Sequence, residues 1–174
     1  MQAVKKDITR IRVEAIVNAA NGKGPMGVGV AYAIASAAGQ KVKAEVANLC
    51  KTGRFKDGDC YASSSGDLRK LGVKTIYHAV TMEYPGGRTS LDTISKAMRA
   101  VLEKAIADDI KSIAFPGLGT GIGALDPHAT ALTMVRVAKP YSDRIAITFA
   151  DINSDFIDYV QAAIKAGEEN EKQT

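Results

Sequence analysis

The stretch Ile16-Val17-Asn18-Ala19-Ala20-Asn21 followed by Gly22-Lys23-Gly24-Pro25-Met26-Gly27-Val28-Gly29-Val30 decides how the rest of this chain is read. An apolar strand ends between two asparagines, breaks into a glycine-rich loop and enters a helix. Glycine lacks a Cβ and tolerates positive φ, so such a loop lets backbone N–H groups approach an anion closely. The following helix adds the positive end of its dipole. The local chemistry is that of a pocket for a phosphate or diphosphate, with asparagine side chains beside it to read sugar hydroxyls.

With 174 residues, the chain is long enough for one domain with a substantial core, and no internal linker divides it. No apolar run approaches the roughly 18–20 residues needed to span a bilayer. Lys5 and Lys6 are followed by polar residues rather than by the apolar stretch of a signal peptide. Two cysteines, Cys50 and Cys60, without a surrounding pattern, suit a reducing compartment better than a disulfide framework. The expected location is therefore cytoplasmic. The formal charge of +4 suits an anionic ligand, yet the basic residues are scattered. The densest group, Lys41, Lys43, Lys51, Arg54 and Lys56, has no interleaved aromatics and reads as a solvated face.

Six short runs read as strands: Met1–Val4, Ala15–Ala19, Cys60–Ser63, Thr75–Val80, Ser112–Phe115 and Ile145–Phe149. Several are continuously apolar, the pattern of strands covered on both faces. Helical patterns lie between them, over Val28–Ala38, Lys41–Cys50 and Ser90–Ala107. Thr89-Ser90-Leu91-Asp92 has capping-box spacing, Asp126-Pro127 opens a further helix, and Ser154 is expected to cap the last one. Strands alternating with helices predict an α/β domain, with a mixed sheet between two helix layers. The domain is expected to span residues 1–167. The polar stretch Glu168–Thr174 reads as a frayed tail.

Two familiar phosphate motifs fail. In Gly27-Val28-Gly29-Val30-Ala31-Tyr32 the third glycine of the dinucleotide fingerprint is a tyrosine, and no run matches the P-loop. A second loop, Phe115-Pro116-Gly117-Leu118-Gly119-Thr120-Gly121-Ile122-Gly123, leaves another apolar strand and reaches a helix at Pro127. Its glycines can form a curved run of N–H donors, a nest for a diphosphate. Neither loop contains an acidic residue before Asp126.

Four ordered pieces carry a resemblance to the macro domain: Lys6-Asp7-Ile8-Thr9, Asn18-Ala19-Ala20-Asn21, Gly27-Val28-Gly29-Val30-Ala31-Tyr32-Ala33-Ile34, and Phe115 through Gly123. The resemblance covers residues 1 to about 166 and implies a three-layer α/β/α fold with a central mixed sheet that binds ADP-ribose. It implies that Asp7 accepts the adenine amino group beside Ile8, and that Asn21, with Ala20 next to it, contacts the distal ribose. It further implies that Gly27, Val28, Gly29 and Val30 hold the diphosphate from one side. Gly117, Leu118, Gly119, Thr120, Gly121 and Ile122 hold it from the other, and Asn153 takes the adenine-flanking place. On this reading Gly119→Glu would set a carboxylate against the diphosphate.

Other roles for the polar residues stay open at this level. Asp7 could instead cap the turn at Ile8-Thr9, Asn18 could tie the loop to nearby backbone, and His78, inside an apolar strand, suits a buried, hydrogen-bonded role. His128 is expected at the surface and Cys60 in the core. Metal ligation is not expected from two histidines and two cysteines dispersed along the chain, and no cofactor is required; ADP-ribose is the expected ligand. Hydrolytic relatives often carry an aspartate where this chain has Ala31, and a glycine where it has Val28. Asn21 and the ligand's own phosphate are then the candidates to position a water. Three functions follow: an ADP-ribose-binding module for the free ligand or an ADP-ribosylated macromolecule, a hydrolase of ADP-ribose derivatives (O-acetyl-ADP-ribose deacetylase, ADP-ribose-1″-phosphate phosphatase or mono-ADP-ribosyl hydrolase), or an adenosine-reading nucleic-acid binder.

Overall fold

In a computed structural model, described over residues 1–172, the apolar runs assemble into one six-stranded sheet of order β1-β6-β5-β2-β4-β3. The strands are β1 (Gln2–Lys5), β2 (Ala15–Asn21), β3 (Cys60–Ser64), β4 (Thr75–Met82), β5 (Ser112–Phe115) and β6 (Ala146–Asp151). Neighbours pair in parallel except β3, which runs antiparallel to β4 at one edge. The helices are α1 (Gly29–Ala38), α2 (Gln40–Gly53), α3 (Leu91–Ala107), α4 (Pro127–Ala138) and α5 (Ser154–Lys172). The sheet is therefore mixed and lies between two helical layers, as the alternating sequence predicts.

Side-chain alternation along the strands feeds two cores. Ala15, Val17, Tyr77, Ile113 and Phe149 face α3, α4 and α5, where Ile94, Met98, Met134 and Phe156 meet them. Ile16, Ala20, Ile76, Val80 and Ala114 face the other way, onto Ile34 and Ala35 of α1 and Val42 and Val46 of α2. Both faces are buried, so the strands carry almost no polar alternation. Phe115, Phe149 and Phe156 are wholly enclosed, and each contributes about 1.5–3 kcal/mol of transfer free energy.

Several boundaries differ from the sequence expectation. β2 continues to Asn21 and β4 to Met82, because the two strands stay paired past Ala19, with a register irregularity at Ala20/Asn21. β6 reaches Asp151, which pairs with Lys5 of β1. Ser90, not Thr89, caps α3, accepting from Thr93 N, so the Thr89–Asp92 capping box is not formed. Asn153 rather than Ser154 caps α5: its Oδ1 accepts from Phe156 N at 3.2 Å. The backbone of α5 stays helical through Lys172, where the sequence suggested a frayed tail; residues 173–174 lie outside the described residues.

His78 is fully buried in β4, as its apolar neighbours predicted. Its Nδ1 lies 3.1 Å from Asn18 Nδ2 and its Nε2 lies 2.8 Å from Ser63 Oγ. A carboxamide nitrogen only donates, so Nδ1 is the acceptor and Nε2 carries the proton, donating to Ser63. The ring stacks on Tyr61 at 4.6 Å between centroids, which in turn stacks on Phe55. Asn18 is thereby structural: it ties β2 to β4 across the sheet. Burial pushes the His78 imidazolium pKa down to about 3, from an ordinary 6.5.

Between those values the unfolded chain binds the extra proton and the folded chain does not. His78 therefore contributes stability in full above pH 6.5, and loses it progressively as pH falls toward 3. Denaturant unfolding from pH 8 to 4.5 should show stability declining below pH 6.5 in the wild type. His78→Gln, which cannot titrate, should be less stable at pH 8 but show a flatter decline. An equal slope in both proteins would remove His78 as its source.

Candidate functional site

Parallel strands deliver their following loops to one end of the sheet, and here that end is hollow. A cleft of about 680 Å³ opens over the carboxyl ends of β1, β2, β4, β5 and β6. Its floor includes Ala19 and Ala20 of β2, Thr81 and Met82 of β4, Pro116 and Ala150. The two glycine loops form facing walls, the β2–α1 loop with Gly27 to Val30 and the β5–α4 loop with Gly117 and Gly119 to Gly123.

The first wall is an exposed helix N-terminus. Val28 is the N-cap of α1 and has no side chain able to cap it. By contrast Ser90, Asp126 and Asn153 cap α3, α4 and α5. Among the described residues, no protein acceptor takes the N–H of Gly27, Val28, Gly29, Val30 or Ala31. Gly29 has φ +59, and a Cβ at Gly27 or Gly29 would meet nothing within 4 Å, so ligand space lies open there. The second wall matches it: the N–H groups of Gly119, Gly121, Ile122 and Gly123 have no protein acceptor either.

Among the described residues lining the cleft, three carry formal charge, Lys6, Asp7 and Asp151. Asp7 Oδ1 accepts from Thr9 N at 2.9 Å and from Thr9 Oγ1 at 2.7 Å. It thus caps the turn at Ile8–Arg10, and Asp7 also lines the cleft, leaving Oδ2 available. Asp151 accepts from Gly117 N and Asn153 N, each at 2.9 Å. An anion between the glycine loops would be held by backbone dipoles, not by cationic side chains.

Asn21 lines the cleft, yet its carboxamide mostly builds the loop. Oδ1 accepts from Lys23 N and Gly24 N, both at 2.9 Å, while Nδ2 donates to Pro25 O at 3.0 Å. One Nδ2 proton remains for a ligand. Ala31 also lines the cleft. Histidine and cysteine are absent from the lining. Among the described residues no cluster could hold a metal ion. Cys60, expected in the core, is only half-buried and packs against its edge, where burial raises the thiol to about 12. His128 is exposed, edge-on to Tyr159.

Of the sequence-derived binding residues, one falls outside the cleft. Leu118 is fully buried in the core beside Phe156, because the loop needs an apolar anchor beneath its glycines. Asp7, Ile8, Ala20, Asn21, Gly27 to Val30, Gly117, Gly119 to Ile122 and Asn153 all line it. Asn153 does so while spending Oδ1 on capping α5. Thr81 and Met82 at the end of β4, and Pro85 and Gly86 after it, were missed, as were Asp151 and Ile152. A Pro-Gly-Gly break directly after an apolar run was the available signal for the first group. Val28, Ile122 and Ile152 leave apolar side chains 58%, 60% and 74% exposed at the cleft rim.

Together these features define a three-layer α/β/α protein with a cleft walled by backbone N–H groups at the carboxyl ends of its parallel strands. The chain belongs to the Macro domain family, whose model matches residues 17–134. It is 33% identical over 150 residues to an O-acetyl-ADP-ribose deacetylase of Salmonella gallinarum, covering 84% of this chain and 82% of that protein. A protein of Aquifex aeolicus is 31% identical over 160 residues, covering 91% and 93% of the two chains. Among solved structures, a variant of the Oceanobacillus iheyensis macrodomain with ADPR superposes with a TM-score of 0.84 at 23% identity. The match covers 96% of this chain and 92% of that one, and establishes likeness of fold.

Gly119 corrects one expectation. Its φ is +75, and a Cβ there would lie 2.9 Å from Leu125 Cδ1 and 3.0 Å from Ile94 Cδ1. A side chain at 119 thus points into the core instead of toward a ligand. Gly119→Glu should cost about 1–3 kcal/mol or more of stability through strain and overpacking. Gly121→Glu, with open space around it, should leave the melting temperature nearly unchanged. Thermal unfolding of the two variants checks the difference.

Proposed function

We propose that this cleft binds ADP-ribose, free or carried on a macromolecule. The observation that carries the reading is the pair of acid-free backbone walls facing each other across the cleft, with their N–H groups unsatisfied by the protein. A diphosphate between them would complete donors that otherwise face solvent. Asp7 Oδ2, at the β1 end, supplies the acceptor that an adenine amino group needs. At the other end, Asn21 Nδ2 retains a donor for a ribose hydroxyl. The name of the Salmonella gallinarum relative and the ADPR bound by the Oceanobacillus iheyensis variant support the same ligand. The exposed rim residues leave room for an attached group to leave the cleft.

Isothermal titration with ADP-ribose, ADP, AMP and NAD tests this. ADP-ribose should bind tightest and AMP far more weakly. Gly121→Glu, which adds a carboxylate with open space around it at the second wall, should weaken ADP-ribose about tenfold or more by like-charge repulsion. ADP-ribose binding no tighter than AMP would remove the diphosphate from the two loops.

Hydrolysis of an ADP-ribose ester is the second reading, favoured by the deacetylase name of a relative at 33% identity. In this cleft such a reaction would have no side-chain base beside Ala31, because a carboxamide such as Asn21 can orient water but not deprotonate it. Incubation with O-acetyl-ADP-ribose should show product release far slower than ligand exchange. Rapid turnover that Asn21→Ala abolishes would promote the second reading to the first.

A further inference from the structure

We propose that Asp151 is the positioning residue that holds the β5–α4 loop in its anion-binding shape. The proposal rests on the ADP-ribose reading above and assigns a determinant of that site outside either glycine loop. Asp151 is a carboxylate in a cleft meant for a diphosphate, where its charge on its own is unfavourable. Its contacts explain its presence. Oδ2 accepts from Gly117 N at 2.9 Å, across 34 positions of sequence, and Oδ1 accepts from Asn153 N at 2.9 Å. Its backbone carbonyl accepts from Lys6 N at 3.0 Å, next to Asp7. One residue at the end of β6 therefore touches the adenine-end turn, the start of α5 and the second glycine loop.

The two carboxylate bonds are unequal in consequence. The start of α5 has an independent anchor, the cap from Asn153 Oδ1 to Phe156 N. At Gly117 the N–H has Asp151 as its acceptor, while the carbonyl of the same residue accepts from Thr120 Oγ1 at 3.0 Å. Gly117 is thus gripped on both its polar groups. The unsatisfied donors begin at the next residue, Leu118. Side-chain space at 117 is closed as well, since a Cβ would lie 2.8 Å from Thr120 Oγ1 and 3.2 Å from Asp151 Oδ2. The take-off direction of the loop is set at this point, and a charge-assisted hydrogen bond sets it. Because the Gly117 N–H is spent on Asp151, it is removed from the set of direct phosphate donors.

Two measurements on wild type, Asp151→Ala and Asp151→Asn keep this separate from the ligand reading. The first is ligand-free amide exchange by NMR. In Asp151→Ala the amides of Gly117 and Asn153 should exchange at least about tenfold faster, with the β2 and β4 amides unchanged. The second is binding. ADP-ribose and ADP affinities should fall about tenfold to a hundredfold in Asp151→Ala, while adenosine, followed by shift titration, changes less than about threefold. Asp151→Asn keeps one acceptor oxygen, so it should protect one of the two amides and recover part of the ADP-ribose affinity; it carries the test if Asp151→Ala does not fold. Unchanged protection at both amides, or adenosine falling in step with ADP-ribose, overturns the proposal. Absence of ADP-ribose binding in the wild type overturns the ligand reading instead, and the exchange data then decide the role of Asp151 alone.

Discussion

Strand β2 lies between β5 and β4 and runs parallel to both, and the placement of the cleft depends on that pairing. Parallel neighbours discharge their following loops at the same end of a sheet. The glycine runs after Asn21 and after Phe115 are separated by almost a hundred positions, yet adjacency of β2 and β5 makes them opposite walls of one space. The same constraint brings Thr81 and Met82 of β4 to the floor. His78, donating to Ser63 and accepting from Asn18, fastens β2, β4 and β3 together just beneath.

Backbone chemistry, not side-chain charge, gives the cleft its character. A cationic side chain can follow an anion by rotating, whereas N–H groups at a helix start are fixed in direction and need no counter-charge nearby. Val28 at the N-cap of α1 matters for this reason. A serine or aspartate there would fold back onto the first-turn N–H groups and occupy them. Val28 leaves them unsatisfied, at a cost to α1 alone that burial of Ile34, Ala35 and Ala38 offsets. The absence of acids from both glycine loops follows the same logic.

The sequence was legible where the signal was local. Apolar continuity marked the strands, glycine density marked both loops, and the four ordered motifs marked the family. What escaped it was set by distance. Leu118 looked like part of a glycine nest, but only the core beneath the loop shows that this residue must anchor it. Gly119 looked equivalent to Gly121, yet one faces Leu125 and Ile94 while the other faces open space. Asp151 carried no motif at all, since its partners Gly117 and Lys6 lie far away in sequence. Helix caps shifted by one residue, Ser90 for Thr89 and Asn153 for Ser154, because neighbouring side chains of similar chemistry compete for the same N–H groups.

Ala31 now has a structural meaning beyond a missing acid. It is nearly buried, packs in the α1–α2 core and also touches the cleft. The carboxylates that remain in the lining, Asp7 and Asp151, belong to the β1–β6 side of the sheet and are engaged with backbone N–H groups. Among the described residues that line the cleft on the β2–β4 side, Asn21, Thr81 and Met82 are neutral. A water on that side would find donors and acceptors but no proton acceptor of carboxylate strength. General-base assistance would then have to come from the ligand's own phosphate oxygens, and the protein's contribution to any hydrolysis would be confined to placing the reactants. Placement is also all that binding requires, so the same walls would suit the proposed reading of ADP-ribose without modification.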